Sequence, residues 1–156
     1  MSAPGPTLRF RGRAWRILPA DRAGDATGPA RPPVGRFHHS GQDALYASLT
    51  REGAGVAVSR YLASDDAPRI IVPLFVDGDL VDARNAGAAT SAAWQDVHAM
   101  GVPPPTWALS DAARAAGAQG MLYRSRTRPD LTHLVLFDMA AATRAGAARP
   151  WRPGAG

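Results

Sequence analysis

Runs of apolar and β-branched residues, punctuated by polar turns, predict strands at intervals along the chain. Arg13 to Leu18 (RAWRIL) alternates and carries Trp and Ile, with Pro19 ending the run. Ala44 to Leu49 (ALYASL) is a second strand candidate, and Arg69 to Val76 (RIIVPLFV) a strongly apolar third. Pro73 inside that third run calls for an edge or a bulge, because it cannot donate to a ladder. Asp79 to Asp82 is a short further candidate, and two late runs, Gly120 to Ser125 and Thr132 to Asp138, flank the polar turn RTRPD.

Helical spacing lies between these runs. Thr50-Arg51-Glu52 opens a helix expected to reach about Leu62, with Ala57, Val58, Tyr61 and Leu62 on its buried face. Thr90 to Met100 fits a short helix capped by Thr90 or Ser91, and Ser110 is expected to cap another from Asp111 to Ala116, ended by Gly117. Residues 19–35 hold four Pro and three Gly, a loop long enough to suggest function. Residues 1–8 and 144–156 read as poorly ordered tails around a working domain of residues 9–143. Strands arrive in groups rather than in strict alternation with helices, which favours α+β over a doubly wound sheet.

Composition narrows the chemistry more than the fold. The chain has 156 residues, one domain's worth, and 46% of them are hydrophobic. It contains no Cys and no Lys; all 18 basic residues are Arg, and Glu52 is the only glutamate. Thiol nucleophiles, thiolate metal sites, Schiff bases and the P-loop lysine are therefore excluded. The net charge of +5 is spread from Arg9 to Arg152 rather than clustered, so nucleic acid is not the expected partner. No signal pattern is visible and the longest apolar stretch, Ile70 to Val76, is far short of the ~20 residues that span a bilayer. A soluble cytoplasmic protein is the expectation.

Three local patterns carry little chemistry. His38-His39 places neighbouring rings on opposite faces of an extended chain, so no metal site is expected there. Gly53-Ala54-Gly55 opens like a dinucleotide fingerprint but sits in a helix pattern without the third glycine, which suits close packing better. No GxSxG elbow occurs. The block from Gly35 to Ser48 (GRFHHSGQDALYAS) says more. It places Arg36 after the Pro/Gly-rich loop and Tyr46 ten residues on, in a strand. A fixed guanidinium suits a pyrophosphate and a tyrosine face can stack on a flat ring, although both can equally serve structure.

The order AWRILPA, loop, GRFHHSGQDALYASL, helix, apolar strand, then GMLYRSRTRPDLTHLVLFD resembles the RES-domain family over about residues 13–139. These are toxins of bacterial toxin–antitoxin pairs, named for an Arg, a Glu and a Ser. The resemblance implies a fold like the ADP-ribosyltransferases, with curved antiparallel β layers and flanking helices around an NAD⁺ cleft. It also implies cleavage of NAD⁺ at the nicotinamide–ribose bond, with the ADP-ribosyl group passing to phosphate, water or a protein, and no metal. The family arginine falls on Arg36, the strand tyrosine on Tyr46, the serine on Ser125, and Arg16 matches an arginine beside the same cleft. The family glutamate falls on Ala57. Glu52, five residues earlier and about 140° round a helix from that position, is either a displaced acid on the strand-to-helix turn or a helix-N-terminal acid opposing the dipole. The implied partner is an antitoxin with a helix-turn-helix DNA-binding part that plugs the cleft. A domain without catalysis, binding nucleotide or partner only, is the competing reading.

Overall fold

The computed structural model describes residues 5–59, 62, 67–87 and 93–154. Two long strands, β1 (Thr7–Pro19) and β3 (Arg69–Asp82), pair antiparallel along their length, from Thr7 opposite Val81 to Pro19 opposite Arg69. Both exceed the strands expected from the apolar pattern. Charge explains the difference: Arg9 pairs with Asp77 at 2.8 Å and with Asp79 at 3.3 Å, so polar residues that interrupt the hydrophobic signal are cross-strand partners on an exposed face. Asp79 to Asp82 is accordingly the end of β3 and not a separate strand.

Three further strands connect the ends of this ribbon: β2 (Leu45–Ser48), β4 (Gly120–Arg124) and β5 (Thr132–Leu136). Pairing runs β1–β2–β5–β4–β3, and β3 pairs β1 again, so the ladder returns to its starting strand. The β3–β4 pair is parallel, which makes the sheet mixed rather than antiparallel throughout. The cause is the connection between them, which crosses over through two helices instead of turning back as a hairpin.

The other partners of β3 are β6 (Ala142–Arg144) and β7 (Arg149–Trp151), opposite residues 74–76 and 69–71. Pro73 lies in the gap between them. Its carbonyl accepts from the Ala145 N–H at 2.9 Å, and a strand residue's N and O face the same side, so the missing donor falls where neither strand pairs. Strand pairing thus enters both segments read as tails: β1 begins at Thr7, and β6 and β7 complete the ladder of β3 beyond residue 141.

Three helices flank the sheet among the described residues. In α1 (Arg51–Val58) the Thr50 hydroxyl accepts from the Gly53 N–H at 2.9 Å, a working N-cap. A side chain at Gly53 would come within 3.1 Å of the Ser48 Cβ, and one at Gly55 within 3.2 Å of Trp151, so the glycine pair serves close packing. Residues 60 and 61 of the helix expected to reach Leu62 lie outside the described set, as do Thr90 and Ser91; the helix after them, α2, is Trp94–Ala99. The third, α3, is Pro105–Ala115. Ser110 therefore sits inside it, not at its cap, and bonds back to the carbonyls of Thr106 and Trp107 at 3.2 Å. The start signal is Pro105 at the first helical position, where its missing N–H costs nothing, and Gly117 with φ +82° marks the end.

Period-two alternation sorts the three inner strands into two faces. Leu45, Ala47, Leu122, Leu134 and Leu136 join Val72, Leu74 and Val76 in one core. Met121, Tyr123 and Val135 face the other way, packing with Phe37 against Leu109 and Ala113 of α3. Tyr46, Ser48 and His133 alternate onto that second face.

Candidate functional site

A cleft of about 460 Å³ opens beside this second face. It is lined by strand residues Tyr46, Ser48, Tyr123 and His133, by Ser125 just beyond β4, by Ala54, Val56, Ala57 and Val58 of α1, and by β1 from Trp15 to Pro19. Its charged lining is entirely arginine among the described residues: Arg16, Arg22, Arg36, Arg69 and Arg126. Arg16, Arg36, Tyr46 and Ser125, far apart in sequence, line this one cleft. Glu52 does not; its side chain is 60% exposed and accepts from Arg128 at 2.8 Å. Ala57, where the resemblance puts the acid, does line the cleft.

The loop carrying Arg36 is held from below and from the side. The Tyr46 hydroxyl accepts from the Phe37 N–H at 2.9 Å and meets His38 Nδ1 at 2.8 Å. His38 Nε2 lies 2.8 Å from the Pro32 carbonyl, which can only accept, so Nε2 carries the proton and Nδ1 accepts from Tyr46. Burial pushes the Tyr46 hydroxyl up and His38 down, keeping both neutral. From α3, Trp107 Nε1 donates to the Gly35 carbonyl at 2.8 Å, and Arg114 donates to the carbonyls of Phe37 and Asp43 at 2.9 and 3.1 Å. His39 turns the other way, to Asp111 at 2.9 Å and onto the Trp107 ring. The Arg36 guanidinium rests on the rings of Tyr123 and Phe37, at 5.0 and 5.3 Å from their centroids.

Arg16 has a structural duty as well as a lining one. Its Nη1 donates to the carbonyls of Asp25, Ala26 and Gly28 at 3.1, 3.0 and 2.7 Å, closing the end of a 3-10 helix (Ala20–Asp25) within the long Pro/Gly loop. Burial, with Arg22 nearby and only partly offset by Asp25, lowers Arg16 to about 10, still cationic at neutral pH. Arg22 pairs with Asp25 through Nε at 3.3 Å, while its buried Nη2 makes no hydrogen bond among the described residues. That nitrogen is a buried donor on the cleft lining.

Ser125 sits one residue beyond β4, where its hydroxyl accepts from the Arg128 N–H at 3.2 Å. Arg128 in turn bridges Glu52 and Asp130, each at 2.8 Å. Asp130 first, and Glu52 second, raise the Arg128 guanidinium further, so it is charged throughout the accessible pH range. Among the described residues Glu52 is thus linked to Ser125 through Arg128.

Two cleft residues escape a reading of the sequence. Ser48 and His133 face each other across the β2–β5 ladder, with Ser48 Oγ 2.5 Å from His133 Nδ1. Both are buried, at 1% and 5% exposure. Burial first, and the Arg36 charge second, lower His133 to about 4, so it is neutral at pH 7. The available signal was alternation: Ser48 follows Tyr46 by two, and so shares its face.

A mixed sheet with flanking helices around an arginine-walled cleft defines an α+β domain. The model of the RES domain family matches residues 13–153, and the chain belongs to that family. Comparison with curated protein sequences gives no match. Among solved structures, a chain of the M. tuberculosis MbcT–MbcA toxin–antitoxin complex is similar, with a TM-score of 0.62 and 20% identity. The similarity spans 94% of this chain and 84% of that one, and it concerns the fold. No helix among the described residues is long and apolar enough to cross a membrane.

Proposed function

We propose that the protein is the toxin of a toxin–antitoxin pair and consumes NAD⁺ by breaking the bond between nicotinamide and ribose. The carrying observation is that Arg36, Tyr46 and Ser125 converge on one cleft whose charged lining is arginine alone. A pyrophosphate suits such walls: guanidinium groups bind its oxygens in pairs, and Arg22 has a donor to give. The Tyr46 ring offers a face to the nicotinamide, its hydroxyl being engaged below, and the Ser125 hydroxyl can donate to the amide or a sugar oxygen. The bond electrons leave with the ring nitrogen as neutral nicotinamide, and the ribose cation left behind takes up phosphate or water. Arginine walls favour phosphate as that acceptor.

Incubating the protein with NAD⁺, with and without phosphate, and following nicotinamide release tests this reading. Wild type should turn over faster with phosphate, and Arg36→Ala should lose on the order of 10²–10³ in rate. Transfer of label from NAD⁺ to a protein band would instead make a protein the acceptor. An antitoxin that covers the cleft and carries a helix-turn-helix part is the proposed partner; that the similar structure is a toxin–antitoxin complex supports an antitoxin as such. Co-expression of an adjacent open reading frame that restores growth checks it.

A second reading rests on Ala57. Among the described residues no carboxylate lines the cleft beside a developing ribose cation, which favours a domain that binds nucleotide without cleaving it. Saturable NAD⁺ binding with no nicotinamide release would select this reading.

A further inference from the structure

A cleft walled by arginine can hold phosphates, but arginine only donates hydrogen bonds. A sugar hydroxyl placed there needs an acceptor for its proton, and few lining side chains can supply one. His38 and Tyr46 satisfy each other, the Phe37 N–H and the Pro32 carbonyl. The Ser125 oxygen already accepts from the backbone of Arg128. Thr127 is exposed and Gln95 half-exposed at the rim, where water competes. Of the other buried acceptors among the described lining residues, Tyr123 offers a single hydroxyl, whereas Ser48 and His133 form a couple.

We infer that Ser48 and His133 form the subsite for the ribose at the scissile end of the ligand, accepting a hydrogen bond from one of its hydroxyls where Ala57 offers no carboxylate. The proposal rests on the nucleotide reading of the cleft but not on cleavage. The couple spans the β2–β5 ladder, so its position is fixed by backbone pairing. Ser48 takes His133 Nδ1, and Nε2 has no hydrogen-bond partner among the described residues. The ring rests beside Tyr123, 5.6 Å between centroids, whose face carries Arg36. Phosphate and ribose recognition are thereby brought to neighbouring groups. Because burial keeps the ring neutral, the couple presents a lone pair, not another cation, among the arginines.

The test compares ADP-ribose with ADP, which lacks the second ribose, by calorimetric titration. His133→Ala should weaken ADP-ribose about tenfold and leave ADP within about twofold, and Ser48→Ala should show a smaller shift of the same selectivity. His133→Asn, which keeps an acceptor, should recover most of the loss. Equal loss of both ligands, or unchanged ADP-ribose binding, overturns the proposal. If His133→Ala does not fold, Ser48→Ala decides it, since removing that hydroxyl leaves the backbone ladder intact. Absence of nicotinamide release from wild type defeats cleavage alone, whereas a wild type that binds neither ligand defeats the nucleotide reading and the subsite together.

Discussion

Two segments carry Arg36 and Ser125 into the cleft, and they are held in opposite ways. The loop from Gly35 to Asp43, which bears Arg36, is tied by a buried tyrosine, a neutral histidine and the Trp107 and Arg114 side chains of α3. The turn from Ser125 to Leu131 is tied on its outside by Arg128 between two exposed carboxylates. Buried neutral hydrogen bonds resist salt and lose heavily when one partner is removed; exposed ion pairs are screened and individually worth little. The Arg36 loop is thus built to be rigid, and the turn behind Ser125 to be adjustable.

The sharpest way to break this contrast is at Gly35. A Cβ there would overlap the His38 ring and crowd the Tyr46 hydroxyl, so Gly35→Ala must displace the pair that holds the Arg36 loop. The expected cost is about 3 kcal/mol in denaturant unfolding, with nucleotide binding lost alongside. No substitution confined to the Ser125 turn should approach it.

Acid should separate the two segments next. His133, ordinarily 6.5, is lowered to about 4, and His38 is lowered too, so the unfolded chain binds these protons and the folded one resists them. Stability is then fully present above pH 6.5 and falls as pH drops below it. From pH 7 to 5 His133 alone should remove about 2 kcal/mol, measured by urea unfolding at each pH. Asp130 is lowered by Arg128, so its contribution persists down to the ordinary carboxylate range and the turn is spared over that interval. His133→Asn should flatten the profile, leaving the slope due to His38.

Tyr46→Phe probes the same loop more gently. It strands the Phe37 N–H and His38 Nδ1 while keeping the ring face, and should cost about 1–2 kcal/mol in thermal unfolding. Salt should leave that cost unchanged.

The contrast also explains what could be read from the chain beforehand. Arg36, Tyr46 and Ser125 sit in recognisable blocks, and β2, β4 and β5 follow from apolar runs, because those features are local. β1 and β3 run past their apolar segments because part of their length is a charged face whose partners, Arg9 with Asp77 and Asp79, lie some 70 residues apart. The helix start at Pro105 is hidden in a proline run that reads as loop until the buried face of Leu109 and Ala113 has something to pack on. Ser48 with His133 depends on cross-strand register, and His38 with Tyr46 on loop closure; neither is a property of spacing. Glu52 shows the converse, since being the only glutamate made it conspicuous while its place on α1 turns it outward.

The smallest effect is the most informative about the turn. Glu52 is linked to Ser125 through Arg128, whose backbone N–H meets the serine hydroxyl while its guanidinium meets the carboxylate. Glu52→Gln removes one of two carboxylates that Arg128 holds, and Asp130 remains at 2.8 Å. Thermal unfolding should therefore shift by less than about 1 °C, and turnover or ADP-ribose affinity by less than about threefold at low salt. Near 1 M salt, where screening acts within about 3 Å, wild type and variant should converge. A hundredfold loss that salt does not erase would place the carboxylate in the chemistry, and the two segments would then be held by different means but serve the cleft equally directly.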